Sequence, residues 1–185
     1  MSSVTTQTNP PLELDPCVEP IVAISQAAAD WLGVPRIRCF IYNQKWLIPD
    51  GPSMFMVFSV ISDMPYASGL SYAANPVTGE LEETVGGNTR SVIQWEIWSR
   101  NADARLNRVR AINFLHSTAC QQLCEKHGFA VASAPTSFGD LSYNDGAARM
   151  NKYQITFTVL TGEANTRVVD SFNKFTGSPA FVFNP

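Results

Sequence analysis

His116, Cys120, Cys124 and His127 are the residue types of a metal centre, and they fall within one short stretch of chain. On one straight helix, at ~1.5 Å rise per residue, His116 and His127 would stand about 16 Å apart. Four ligands so placed cannot close a tetrahedron around one ion with bonds of roughly 2.0–2.3 Å. At most Cys120 and Cys124, four residues apart, share an ion with ligands from elsewhere. Small thiols on a core face account for the pair more simply. A disulfide between them is disfavoured, because side chains within an intact helix rarely meet disulfide geometry. His116 can approach Cys120 by helical spacing, yet nothing in the pattern marks a lowered thiol pKa or an oxyanion site. No metal, cofactor or catalytic residue is therefore expected.

Other catalytic patterns fail in the same way. The chain has no Gly-x-Ser-x-Gly elbow, no phosphate loop and no Gly-x-Gly-x-x-Gly before a helix. Asp50 and Glu96 suggest a metal-dependent nuclease, but that chemistry wants a Lys two residues after the second acid, and Trp98 stands there. Asp50 sits in Pro49-Asp50-Gly51-Pro52, a turn signal.

Arg100, Arg105, Arg108 and Arg110 cluster near the start of a long helix. Guanidinium groups suit two-pronged contacts with carboxylates. One reading pairs them with Glu80, Glu82 and Glu83 of an adjacent subunit, with Tyr72 on the same contact surface. A solvated helix face accounts for them about as well. DNA recognition ranks lowest, since no aromatic-interleaved basic stripe exists and the net charge is −3.

These residues must be held by elements. The 185-residue chain fits one domain with excursions. Only 16% of it is charged, below the usual ~25%. With 11 Phe, 4 Trp and 5 Tyr, this suggests surface buried against neighbours, the alternative being a low-charge monomer. The longest apolar run, around Met54–Val60, is far short of a membrane helix. Met1–Asn9 has neither a basic nor an apolar leader region, and four Cys make no disulfide scaffold, so cytoplasmic synthesis is expected.

Residues 1–18, rich in Ser, Thr and Pro, predict an extended arm. Glu19–Leu32 reads as a helix stopped by Gly33, and Arg38–Tyr42 as a short strand. A loop over Asn43–Ser53 follows. Ser53–Ser62 is a strand apolar on both alternations, hence buried on two faces. Residues 63–90 lack a helical period, and Tyr66–Ala74 with Glu80–Val85 around Asn75–Gly79 predicts a projecting β-hairpin. Ser91–Trp98 alternates with Ile93, Trp95 and Ile97 on one face. One helix is expected from an Asn101 N-cap to His127, with Leu106, Val109, Ile112, Leu115, Ala119 and Leu123 as its core stripe and Gly128 beyond. A strand over Phe129–Ala134, a polar loop over Ser137–Asn144 and an alternating strand over Tyr153–Leu160 complete the domain. In that last strand Gln154, Thr156 and Thr158 are expected to face out. Residues 161–185 read as a tail with an apolar end, Ala180–Phe183. The order predicts an α+β fold: a mostly antiparallel sheet of four to five strands, two helices on one face, a projecting hairpin and extended terminal arms.

Over residues 19–160 the chain resembles the phage neck and tail terminator proteins. The likeness is carried by Trp31-Leu32-Gly33, by Tyr42-Asn43-Gln44 followed by Pro49-Asp50-Gly51-Pro52, and by the Gln94–Trp98 strand before a long helix. Asp140-Leu141-Ser142 before the Tyr153–Val159 strand adds to it. The resemblance implies a non-enzymatic virion subunit, assembled in the host cytoplasm into a hexameric ring. That ring caps the tail tube and joins tail to head–neck connector. Its implied partners are other copies of itself, tail tube and sheath proteins and the connector, with DNA only passing through the lumen and no membrane. A different phage ring, such as a connector adaptor or tail completion protein, fits the same features. From another class, a small-molecule-binding or enzymatic α+β domain is the alternative.

Overall fold

Period-two alternation around Trp95 sets the centre of the sheet. The computed structural model describes residues 18–41, 48–145 and 148–169. The expected arm up to residue 17, Tyr42-Asn43-Gln44, the loop start to residue 47 and the tail from residue 170 lie outside them. The class is α+β with a largely antiparallel sheet.

Helix α1 runs Pro20–Leu32. Proline suits its first turn, where an N–H would have no partner. Gly33 ends it at φ 70°, donating to Asp30 O while Val34 donates to Ala29 O. A 3-10 turn over Arg36–Arg38 takes the beginning of the expected strand, leaving β1 at Cys39–Ile41. Strands β2 (Phe55–Ala74) and β3 (Leu81–Ser99) form one continuous antiparallel ladder. The expected core strands and projecting hairpin are thus the same two strands. They turn at Asn75, whose Oδ1 accepts the Val77 and Thr78 N–H groups, and Gly79 takes φ 72°.

The chain then enters α2 (Asp103–Leu115) and α3 (Thr118–His127). The single helix expected here is two. Ser117 breaks it: its backbone is extended, and its hydroxyl accepts the Cys120 N–H and donates to Phe114 O. Strands β4 (Phe129–Ser133), β5 (Gly139–Asp140), β6 (Tyr143–Asp145) and β7 (Ala148–Val168) follow. Among the described residues there are thus three α-helices and seven strands, where two helices and four to five strands were expected within the same α+β class. The main path is β1-β2-β3-β7-β4, with β5 and β6 also paired to β7 and β1–β2 parallel. The residues expected as tail from 161 to 168 continue β7.

The core lies between the helices and one sheet face. Met56, Phe58, Ile93, Trp95, Ile97, Tyr153, Ile155, Phe157 and Val159 supply the sheet side. Ile21, Ile24, Ala28, Leu32, Ala111, Phe114, Leu115, Cys120 and Cys124 supply the helix side. Trp95 stacks on Phe58 at 5.0 Å and meets the edge of Phe114 at 6.3 Å. The helical stripe differs from expectation. Ala104, Ala111, Ile112, Phe114 and Leu115 are buried, whereas Leu106, Val109 and Ala119 are exposed. Leu123 is half-buried. The break resolves a conflict of phase. At ~100° per residue, Cys120 and Cys124 in one continuous helix would lie opposite Ala111 and Leu115. Thr158, expected outside, is buried beneath the bulged pairing of β4 with β7.

Candidate functional site

Beyond the helices, β2, β3 and β7 continue as a three-stranded blade. Its strands pair from Ser62–Val92 out to Ala74–Leu81 and from Leu160–Arg90 out to Val168–Glu82. At ~3.3 Å per residue the blade reaches about 40 Å. Of its β2 residues all but Ser62 are exposed. β1 pairs only as far out as Phe58 and β4 only to Thr161, so both blade edges carry no strand among the described residues. Two bulges, at Val60/Ser62 and Pro65/Ala67, interrupt the β2 register. The second accommodates Pro65, which has no N–H for a ladder, on an edge strand.

Register assigns the blade's two faces. Leu70, Tyr72, Val85 and Glu83 share the face that carries Ile93 and Trp95 further down, as do Asp63, Glu163 and Arg167. Ala67, Gly69, Ala73, Glu82, Gly86 and Ala164 lie on the other. Arg167 reaches across from β7 to clamp both Glu83 oxygens, at 3.1 and 3.3 Å. No local spacing in the sequence marks Arg167. Its signal is positional, since the two residues are direct cross-strand partners. Glu82 accepts from Asn75 Nδ2 at 2.6 Å, and Glu80 sits exposed at the tip. The acids expected at a subunit contact are therefore divided between the two blade faces and the tip, and Glu83 is held within its own chain.

The arginines separate similarly. Arg108 lies over the Phe138 and Tyr153 rings, 4.8 and 5.2 Å from their centres. Arg110 donates to Trp31 O at 3.2 Å while Trp31 Nε1 donates to Arg110 O at 3.2 Å, joining α1 to α2. Arg100 is exposed just before α2. Arg105 is exposed and makes no hydrogen bond or ion pair among the described residues. The chain matches no family model and no curated protein.

The residues considered for chemistry do not converge. Among the described residues no three His, Cys, Asp or Glu side chains are grouped to hold a metal. His116 closes α2 with its Nε2 3.0 Å from Pro135 O, and His127 stacks on Phe129 at 6.5 Å. Cys120 and Cys124 line an open groove of about 420 Å³ between α3 and β4. A hydrogen bond from Cys120 holds the Cys124 thiol below its ordinary range, and the same bond, with burial, pushes Cys120 up. Asp50 lies in an exposed loop whose Asp50 and Ser53 carbonyls accept from Arg38. Glu96 stands on the outer sheet face, bonded to Lys152 at 2.9 Å, Gln94 at 2.7 Å and Trp98 Nε1 at 3.0 Å.

The Asp140-Leu141-Ser142 segment has a mechanical role. The Ser142 hydroxyl, together with the Ser142 N–H that Asp140 accepts at 3.0 Å, holds the Asp140 carboxyl below the usual range. Leu141 N donates to Lys152 O, and Lys152 N donates to Ser142 Oγ. The segment is stitched to β7, where Lys152 covers the Trp98 ring at 4.3 Å. No described helix is long and apolar enough to cross a membrane.

Proposed function

We propose that this chain is a structural subunit of a tailed-phage virion that closes into a ring, its role mechanical rather than catalytic. In this reading the ring, a hexamer by resemblance, terminates the tail tube and joins tail to head–neck connector. DNA passes through its lumen. The observation that carries the reading is the blade. A long three-stranded ribbon with Leu70, Tyr72, Val85, Met64 and Tyr66 exposed, and with two edges left open among the described residues, is poorly suited to an isolated monomer. A neighbouring copy would cover it. The motifs around Gln94–Trp98 and Asp140–Ser142 support the choice of a tail-neck ring over other self-assembling proteins.

Native mass spectrometry across a concentration series, followed by negative-stain microscopy, tests the reading. A closed oligomer with a central opening is the expected result. A monomer at every concentration overturns it.

A further inference from the structure

The helix-side face of the blade and the outer ridge of α2 are two apolar patches of opposite charge. On the blade, Leu70 and Tyr72 are 58% and 57% exposed and Val85 is 44% exposed. Asp63, Glu83 and Glu163 share this face with Arg167, three carboxylates against one guanidinium, a balance of −2. On the opposite blade face Glu82 and Arg90 cancel. On α2, Leu106 and Val109 are 68% and 52% exposed, and at ~3.6 residues per turn they share a face flanked by Arg105 and Arg110. Arg108 is turned onto Phe138 and Tyr153, so the ridge itself carries Arg105 and Arg110, a balance of +2.

Resting on the reading of this chain as a ring subunit, we infer that the helix-side blade face of one copy docks on the Leu106/Val109 ridge of a second copy. The contact cannot form within one chain. Ala104, Ala111 and Leu115 face the sheet, so the ridge points away from it, whereas the blade continues in the sheet. The two patches differ, so each copy offers one of each and the contact is head-to-tail. Repeated with the right rotation, such contacts close a ring. The apolar pairs would supply the adhesion, and the opposite charges would set orientation and encounter rate.

Two chains, one carrying Leu70→Cys and the other Val109→Cys, are co-expressed and treated with a short bismaleimide, beside each variant alone and the parent. Cross-linked dimer is expected in the mixed assembly at about tenfold or more over any single chain. Independently, Leu106→Lys, at an exposed site that leaves the core untouched, is expected to raise the half-assembly concentration about tenfold or more. Cross-linking equal in mixed and single-variant samples, or an unmoved Leu106→Lys assembly curve, overturns the contact. If the parent nonetheless assembles, only this pairing of surfaces fails. If the parent stays monomeric, the ring reading fails with it.

Discussion

The guanidinium of Arg108 lies 5.2 Å from the centre of the Tyr153 ring, with Nη1 3.4 Å from the Tyr153 hydroxyl. This ties α2 to the centre of β7, and Phe138 covers the same cation at 4.8 Å. One arginine of a basic cluster thus acts inside the fold, whereas Arg105, three residues earlier, points to solvent. Partly desolvated cation–π contacts contribute about 1–2 kcal/mol. Arg108→Ala is expected to lose that much in urea unfolding, and Arg105→Ala to stay within about 0.5 kcal/mol of the parent. Equal losses at both positions would mean that the Phe138–Arg108–Tyr153 stack contributes nothing.

Ser117 divides what reads as one helix. Its hydroxyl caps α3 through the Cys120 N–H, so Ser117→Ala should cost about 1 kcal/mol. The helical signal should persist, because α2 and α3 are each held by their own buried residues. A circular-dichroism-monitored denaturant titration reads both quantities. An unchanged midpoint would show that packing alone sets the break.

The break was legible in the residues, though it took both faces to see it. A stripe through Leu106, Val109 and Ala119 gives one plausible helix, but it leaves Ala111, Phe114, Cys120 and Cys124 unplaced. Small and sulfur-bearing side chains weigh little in a hydrophobic pattern, and here they make the contact. The sheet core was easier to read, since Ile93, Trp95 and Ile97 alternate cleanly against Tyr153, Ile155 and Phe157. The blade was half visible. Asn75–Gly79 marks its turn, but Gly69, Gly86, Gly87 and Gly162 hide the strands from propensity. The third strand, beyond Leu160, had no apolar alternation to announce it. Which arginines bond within the chain depends on where Tyr153 and Trp31 arrive, and no local pattern carries that.

Phe157 is 2% exposed on the helix-facing side of β7. Replacement by Ala removes a ring from a close-packed layer and leaves a cavity, for a loss of about 3–5 kcal/mol. Equilibrium unfolding of Phe157→Ala measures it. A change within noise would place that side chain outside the core.

Cys39 faces the core from β1 and donates to Ser25 O at 3.5 Å. Burial pushes its thiol up to about 11 from an ordinary value of about 9, outweighing the opposite pull of the Ser25 hydroxyl. The folded value lies above the unfolded one. The buried thiol therefore contributes fully below about pH 9, and its contribution is lost as pH rises towards about 11. Stability measured across this window should fall less steeply in Cys39→Ala than in the parent, whatever the offset between them. Parallel curves would mean that Cys39 does not ionise differently in the two states.

Pro65 pairs with Thr89 across the base of the blade. A short Asn-Gly turn joining those positions therefore removes residues 66–88 at a point where the strands already meet. The core layer lies below that cut, since Phe58, Ile93, Trp95 and Phe157 keep their partners. The shortened chain is expected to unfold cooperatively as a domain, while its oligomer weakens or disappears in sedimentation velocity. The residual end of β7 would lose its partner strand, so a modest fall in stability belongs to the same expectation. Loss of cooperative unfolding would mean that the blade is part of the folding unit. An intact oligomer without residues 66–88 would mean that subunits meet elsewhere, and that the exposed face of Leu70, Tyr72 and Val85 serves another partner.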